Sequence, residues 1–235
     1  MPHRQSVPTV VALGGGGFDA DNPAGAALDR WLLNRAGGGT PHVCLIPTAG
    51  GDSEFRIARF RRAAEAAGAI PRELCLYRPS TRDFSSYLHE CDLVFVSGGS
   101  TKNLLALWRD WGLDTDLRAA YESGVLLAGV SAGANCWFEN CSTDSFYGDL
   151  ELIPCLGWFP GCFLPHFTGE PLRRPHLDVL LKQGAIDQGW AVDDLAGVVM
   201  EGGLYAGAIS AGGRVWQLVE GEIREQLISS VSSPS

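Results

Sequence analysis

Short apolar runs alternate with amphipathic segments from the start of the chain to Val130. The apolar runs are typical of buried strands, and the intervening segments place apolar residues at helical spacing. The predicted strands are Val10–Leu13, His42–Ile46, Glu73–Leu76, Leu93–Val96 and Val125–Val130. The predicted helices are Ala24–Arg35, Ser53–Ala67, Thr101–Trp111 and Leu113–Ser123. This alternation predicts an α/β fold with a mostly parallel sheet and helices on both faces.

The pattern changes after residue 140. Proline, glycine and aromatic residues accumulate between Phe146 and Pro175 without a clear period, which predicts a loop-built wall of a site. Three later apolar runs, Gly197–Met200, Leu204–Ile209 and Arg214–Val219, predict short antiparallel strands. With no linker or repeat, we expect a single α/β domain over residues 1–235, and the Ser-rich residues 229–235 are expected to fray.

Composition and charge narrow the function classes. The chain has 235 residues, of which 46% are hydrophobic, and its formal net charge is −9. The negative charge argues against a nucleic-acid partner, because phosphate binding needs a basic field. The seven cysteines form no C-x-x-C pair, so neither a zinc ribbon nor a disulfide framework is predicted. No apolar run reaches membrane-spanning length and Met1–Pro8 lacks a signal-peptide core, which predicts no membrane contact and a cytoplasmic location.

The most specific pattern is an apolar strand that ends in Gly-x-Ser-x-Gly at Gly129–Gly133 and continues into a helix. This is the nucleophile-elbow pattern, in which a sharp strand-to-helix turn exposes a serine hydroxyl. It predicts a nucleophilic Ser131 and an oxyanion held by the N–H of Ala132, at the helix start. The second oxyanion donor is expected from Gly98 or Gly99, in the turn after another predicted strand.

A serine nucleophile needs a base and an acid that orients the base. His166 is the best-placed base, because it follows the elbow in a loop-rich, aromatic stretch, and His176 is the fallback. The candidate acids after the elbow are Asp144, Asp149 and Glu201. Glu201 ends an apolar strand and is expected at the same sheet edge as Ser131.

Another glycine run, Gly14–Gly17, follows the first predicted strand. It invites a dinucleotide-binding interpretation, but no helix follows at once and no acidic residue is placed to bind a ribose. We therefore interpret the run as a tight turn near the site.

Taken together, three motifs resemble the peptidase E family of serine peptidases, also called dipeptidase E or alpha-aspartyl dipeptidase and related to cyanophycinase. They are Phe95–Thr101 before a Leu-rich helix, Gly129–Asn135, and Pro165–Phe167. The resemblance implies a flavodoxin-like sheet, similar to that of class I glutamine amidotransferases, with Ser131 as nucleophile and His166 as base. For the acid it offers both Glu201 and Asp144, and we favour Glu201 on geometry.

The resemblance also implies a small peptide substrate, such as a dipeptide with an N-terminal aspartate, and no cofactor or metal. In the family an arginine after the histidine loop recognises that aspartate, and Arg173 and Arg174 lie near this place. Their alternative interpretation is a solvated helix start. A homodimer is compatible with this size of protein, and the predicted helix with Trp108 and Trp111 offers an apolar face for it.

Two other functions stay open on sequence alone. One is an amidase on the same fold that acts on a small non-peptide amide, with Ser131 or a cysteine as nucleophile. Cys136 is the cysteine nearest the elbow, but it lies well inside the following helix. The other is a catalytically silent binding or regulatory protein that keeps the fold.

Overall fold

The computed structural model describes residues 2–18 and 25–231. Within them, the strands are β1 Thr9–Leu13, β2 His42–Ile46, β3 Ile70–Glu73, β4 Leu93–Val96, β5 Leu126–Val130, β6 Phe138–Thr143, β7 Glu151–Pro154, β8 Phe159–Leu164, β9 Gly189–Val192, β10 Ala196–Glu201, β11 Leu204–Ser210, β12 Val215–Val219, β13 Glu222–Glu225 and β14 Ser229–Ser230. The α-helices are α1 Gly25–Arg35, α2 Glu54–Ala66, α3 Phe84–His89, α4 Thr101–Trp111, α5 Leu113–Glu122, α6 Ala132–Asn135 and α7 Arg173–Lys182. Residue Ala24, the predicted start of the first helix, lies outside the described residues.

The larger sheet has the strand order β14-β11-β10-β1-β5-β4-β2-β3. Strands β1, β5, β4, β2 and β3 run parallel to one another, whereas β10 is antiparallel to β1. The turns after β1, β2, β4 and β5 therefore meet at one edge of the sheet, where ligands bind in open parallel sheets. Because β10 runs in the reverse direction, its last residue, Glu201, lies at the opposite edge of the sheet.

Both faces of this sheet are buried, which explains the continuous apolar runs of its strands. Side chains alternate along each strand, so Val11 and Leu13 join one core and Val10 and Ala12 join another. The first core contains Leu28 of α1 and Phe60 of α2, and the second contains apolar residues of α3, α4 and α5. The prediction of helices on both faces of a mostly parallel sheet is confirmed.

A second sheet, with the strand order β13-β12-β9-β8-β6-β7, is built from the later part of the chain. The prediction of a loop-built segment after Phe146 is therefore wrong. One side of this sheet, with Phe163 and Trp190, packs into the core under the larger sheet. The other side, with Leu164 and Ala191, packs on α7. The central strands β8 and β9 are short and contribute side chains to a core on each side, so the sequence there has no clear period.

Two smaller predictions also need correction. The third strand is Ile70–Glu73 and not Glu73–Leu76, because Leu74 and Leu76 are core residues of an irregular segment that follows the strand. The expectation that the chain frays from residue 229 is wrong for its first part. Ser229–Ser230 pairs in parallel with β11, and Val231 packs against the core. Residues 232–235 lie outside the described residues.

The tryptophan face that we expected to support a homodimer is used inside the molecule. Trp108 is fully buried; its indole N–H donates to Thr48 Oγ1 at 3.4 Å and its ring packs against Trp137. Trp111 packs edge-on against Phe84. A homodimer stays a prediction, and Trp108 and Trp111 are engaged in contacts within the chain. Across the described ranges, no helix combines the length and the apolar character needed to cross a bilayer.

Candidate active site

Ser131 occupies a strained turn between β5 and α6. Its φ of 54° and ψ of −115° lie in a region that non-glycine residues rarely adopt, and such strain concentrates at functional sites. The turn is held on both sides: the Ser131 N–H donates to the Leu13 carbonyl at 3.1 Å, and its own carbonyl accepts from Asn135 at 2.8 Å. Side-chain atoms on Gly129 would collide with the Gly133 carbonyl, so the turn requires the flanking glycine. Ser131 is therefore held in a strained turn between a strand and a helix, at the place where the sequence predicted one.

The surroundings of Ser131 contain the expected backbone donors. Ala132 begins α6, so its N–H has no partner within the helix. Gly98, in the turn after β4, lies against the serine: an added Cβ would stand 3.2 Å from Ser131 Cβ and 3.7 Å from Oγ. Gly99 follows with a φ of 140°, which favours glycine. The predicted oxyanion residues Ala132, Gly98 and Gly99 are thus grouped around the serine.

His166 is paired with Asp194, a residue that the sequence interpretation missed. The distance from His166 Nδ1 to Asp194 Oδ1 is 2.5 Å. The hydrogen bond from His166 lowers the pKa of the Asp194 carboxyl below its ordinary value, against an opposing effect of partial burial. His166 also has a positive φ of 53°, and its neighbour Phe167 donates its N–H to the Val192 carbonyl at 3.1 Å. Asp194 therefore fixes the orientation of the His166 ring through Nδ1 and leaves Nε2 without this partner.

The second sheet brings His166 and Asp194 together. Strands β8 and β9 are parallel neighbours, with Leu164 opposite Ala191, so the residues that follow them emerge side by side. Asp193 fixes the loop that follows β8 and carries His166. Its buried carboxylate accepts hydrogen bonds from the Thr168 N–H at 2.9 Å and the Thr168 hydroxyl at 2.7 Å. A pair of acids directly after a strand was the signal for this site, but the apolar stretch Trp190–Val192 was not assigned as a strand.

The glycine run after β1 makes room for this pair. Gly15 forms a bridge with Asp194, and the Leu195 N–H donates to the Gly15 carbonyl at 2.9 Å. A Cβ on Gly15 would overlap the Asp194 carboxylate and approach His166 Cε1 to 3.1 Å. The structure thus supports the interpretation of Gly14–Gly17 as a tight turn near the site.

Ser131 and His166 line the same cavity, which has a volume of about 270 Å³. Its walls are completed by the glycine turns after β1 and β4 and by Arg56 of α2. The nucleophile and base predicted from sequence are therefore placed together at the carboxyl edge of the parallel strands. Within residues 2–18 and 25–231, no three histidine, cysteine or acidic side chains are grouped as they would be to hold a metal ion.

The expectation that Glu201 orients His166 is wrong. Glu201 pairs with Thr9, the first residue of β1, because β10 is antiparallel to β1. It is therefore separated from the site by the length of β1, about 13 Å for the four steps from Thr9 to Leu13 at about 3.3 Å each. Its carboxylate forms an ion pair with Arg35. The acid that reaches the site precedes β10 instead of ending it.

The other acids do not replace Glu201. Asp144 is exposed and follows β6, where the neighbouring Thr143 hydroxyl bonds to Ser145 at 2.7 Å. Asp149 is likewise exposed. Because Nδ1 of His166 is taken by Asp194, neither Asp144 nor Asp149 is the orienting acid in this structure.

The two arginines predicted to bind substrate do not line this cavity. Arg173 is only 2% exposed; its guanidinium donates to the Ser142 carbonyl at 2.8 Å and to Glu170 at 2.7 Å. Arg174 is exposed, and its guanidinium carbon lies 5.9 Å from the ring centroid of Phe167. We conclude that Arg173 is a structural residue that ties α7 to the second sheet.

The fallback base and the alternative nucleophile are also outside the cavity. His176 Nδ1 is 2.8 Å from the Ser142 hydroxyl, and burial together with Arg173 lowers the pKa of this histidine. Cys136 is fully buried, its thiol points to the Gly133 carbonyl at 3.2 Å, and burial raises its pKa well above the ordinary value. A buried protonated thiol is a poor nucleophile. The cysteine variant of the amidase alternative is therefore not supported.

The chain is similar in sequence to known peptidases. The model of peptidase family S51 matches residues 10–206. The uncharacterized peptidase YgaJ of Bacillus subtilis strain 168 is 43% identical over 185 residues, which cover 79% of this chain and 80% of that protein. Peptidase E of Citrobacter koseri is 36% identical over 91 residues, 38% of this chain and 40% of the relative.

The fold is shared with a solved structure. The crystal structure of a peptidase from an acI-B1 actinobacterium is similar with a TM-score of 0.70 at 22% identity, over 93% of this chain and 97% of that one. The predicted flavodoxin-like fold class is thereby confirmed. The chain is thus a member of peptidase family S51.

Proposed function

We propose that this member of the peptidase family is a serine peptidase that hydrolyses short peptides through an acyl-enzyme on Ser131. The observation that carries the proposal is the strained Ser131 in the same cavity as His166, whose Nδ1 lies 2.5 Å from Asp194. A nucleophile, a base and an orienting acid are the set that acyl transfer requires.

The pairing with Asp194 assigns the proton transfers. With Nδ1–H donated to the carboxylate, Nε2 is the nitrogen that accepts the proton of Ser131 as Oγ attacks the peptide carbonyl carbon. The imidazolium of His166 then gives this proton to the leaving amine, and the peptide C–N bond breaks. A water molecule, deprotonated by the same histidine, then attacks the ester carbon. As the ester C–O bond breaks, the imidazolium returns the proton to Ser131 Oγ, and the acid product leaves. The ionised Asp194 stabilises the imidazolium in both steps.

The oxyanion that forms at the carbonyl oxygen needs hydrogen-bond donors. We assign this role to the N–H groups of Ala132 and Gly99; Gly98, which precedes Gly99, lies against the serine. Preorganised donors of this kind are each worth about 10²–10³ in rate. They act on the transition state more than on the bound substrate, so their effect is expected in kcat.

We propose a substrate class that is broader than dipeptides with an N-terminal aspartate. The cavity of about 270 Å³ suits a short peptide, and neither Arg173 nor Arg174 contributes to its lining. We therefore propose short peptides as substrates. A panel of dipeptides with varied N-terminal residues, together with small non-peptide amides, distinguishes a peptidase from an amidase.

The test of the proposal is Ser131→Ala with a fluorophosphonate probe. We expect wild-type protein to hydrolyse peptides and to be labelled at Ser131. The variant is expected to lose labelling and to lose kcat by a factor on the order of 10⁶, as in other serine peptidases. The matched control is Ser86→Ala, which removes an exposed serine of α3 and should keep labelling. Turnover that survives Ser131→Ala, or a wild-type protein without turnover, contradicts the proposal.

A further inference from the structure

Arg56 lies in the cavity but has no part in the chemistry described so far. It is located on α2, and its Nη1 reaches across to the turn after β4, where it donates to the Gly98 carbonyl at 2.8 Å. The side chain lines the cavity together with Ser131 and His166. The contact joins two neighbouring strand-to-helix units at the carboxyl edge of the sheet.

We propose that Arg56 is a positioning residue that sets the orientation of the oxyanion donor on Gly99. This inference rests on the proposed function. The Gly98 carbonyl and the Gly99 N–H belong to one planar trans peptide unit, so they point in opposite directions. A guanidinium that holds the carbonyl on its side therefore holds the N–H on the other.

The peptide between Gly98 and Gly99 needs such an anchor. The chain is fixed on either side of it, because the Ser97 N–H donates to Ile46 at 3.1 Å and the Ser100 N–H donates to Ala49 at 2.8 Å. Between these bonds stand two glycines, whose backbone rotates at low steric cost. The two flanking bonds do not fix the peptide unit between Gly98 and Gly99. The hydrogen bond from Arg56 restrains it.

The charge of Arg56 adds to the effect. A hydrogen bond from an ionised donor is stronger than a neutral one. It also polarises the peptide that accepts it, and hydrogen-bonded groups in series strengthen one another. The Gly99 N–H is therefore a better donor when the Gly98 carbonyl is bound by the guanidinium.

Arg56 is itself held by a close fit over Gly50. A Cβ added at Gly50 would stand 3.1 Å from Arg56 Cδ and 3.3 Å from Nε. The arginine stem thus lies on the bare Cα of Gly50, in the turn after β2. A side chain at Gly50 displaces the guanidinium without changing the arginine, which supplies an independent test.

The primary experiment is Arg56→Gln, measured as kcat and KM separately. We expect kcat to fall about 10- to 100-fold, less than the loss of a complete oxyanion donor, because the donor is loosened and not removed. KM is expected to stay within a factor of about three, because the oxyanion exists only in the transition state. The rate of fluorophosphonate labelling of Ser131 should fall in parallel, since the phosphonyl oxygen occupies the same donors.

Matched variants separate positioning from other effects. Arg62→Gln removes the same charge from an exposed position of the same helix and should leave kcat unchanged. Arg56→Lys, which keeps a charged donor on a shorter reach, should give an intermediate kcat. Added guanidinium should partly restore the kcat of Arg56→Gln. Gly50→Val should lower kcat in the same way as Arg56→Gln, and unfolding temperatures check that both variants are folded.

Three results would overturn the inference. A kcat of Arg56→Gln equal to that of Arg62→Gln contradicts it. A rise in KM limited to acidic substrates shows instead that Arg56 binds substrate. A wild-type protein that neither turns over peptides nor labels at Ser131 removes the proposed function and this inference together. In the first two cases the proposed function stands.

Discussion

Replacing Asp194 by Asn tests the central correction that the structure makes to the sequence interpretation. The change keeps the size of the side chain but removes the charge that faces the imidazole of His166. It also allows the amide NH₂ to face Nδ1, which favours the wrong tautomer of the histidine. The variant therefore affects the base without touching the nucleophile.

The exposure of the His166–Asp194 pair limits how far kcat/KM can fall in this variant. In the well-studied triads with a buried acid, the same substitution lowers kcat about 10⁴-fold. Here the Asp194 side chain is 56% exposed and that of His166 is 23% exposed, so water screens the pair. Two unit charges about 4 Å apart interact by roughly 1 kcal/mol in water and about 4 kcal/mol near a protein surface. An intermediate value of about 2–3 kcal/mol corresponds to a loss of about 10²-fold in kcat/KM.

The assay is kcat/KM on the best dipeptide of a panel at pH 7.5, with Glu201→Gln as matched control. Glu201 forms a surface ion pair with Arg35, so its substitution should cost no more than about 1 kcal/mol of stability and leave kcat/KM near wild type. Asp144→Asn should behave in the same way. If Glu201→Gln lowers kcat/KM 100-fold while Asp194→Asn does not, the assignment of Asp194 is refuted.

Two other predictions follow from the contacts of the same region. Arg173→Gln should lower the free energy of unfolding by about 1–3 kcal/mol, because it leaves the buried Ser142 carbonyl without its donor. Arg174→Gln should leave the free energy of unfolding unchanged, and urea unfolding of both variants measures the difference. A changed preference for N-terminal aspartate without a loss of stability contradicts this prediction. The lowered pKa of Asp194 means that its pairing with His166 stabilises the fold fully above the unfolded pKa of about 3.9 and that this stability is lost as the pH falls through the folded pKa. The difference in urea midpoint between wild type and Asp194→Asn should therefore shrink as the pH is lowered below about 4, and a difference that grows there contradicts the pairing.

Much of the α/β part of the fold could be predicted because its strands are parallel and buried. Strands such as His42–Ile46 and Leu93–Val96, and the helix Thr101–Trp111, have the predicted bounds. Each is a local pattern bounded by glycine, proline or a capping residue, so the chain near each element contains enough information. Of the second sheet only β12 was predicted, as Arg214–Val219. The central strands β8 and β9 are short and buried on both sides, so they carry no periodic signal.

For the candidate site, the sequence pointed to Ser131 and His166 through local motifs. It did not point to Asp194, and it misplaced Glu201, for one physical reason. A residue at the C-terminal end of a strand can lie at either edge of the sheet, and only the direction of the strand decides which. Strand β10 runs against β1, which carries Glu201 to the far edge and leaves Asp194 at the near one.

The sequence by itself therefore determined the fold class and pointed to Ser131 and His166 as residues of the proposed site, because each depends on short stretches of chain with characteristic spacing. The tertiary structure alone decided which carboxylate faces His166, that Arg173 is buried against Ser142, and that Arg56 reaches the Gly98 carbonyl. These contacts join residues 28, 31 and 42 positions apart. They depend on strand direction and on the packing of neighbouring elements, which local sequence patterns do not encode.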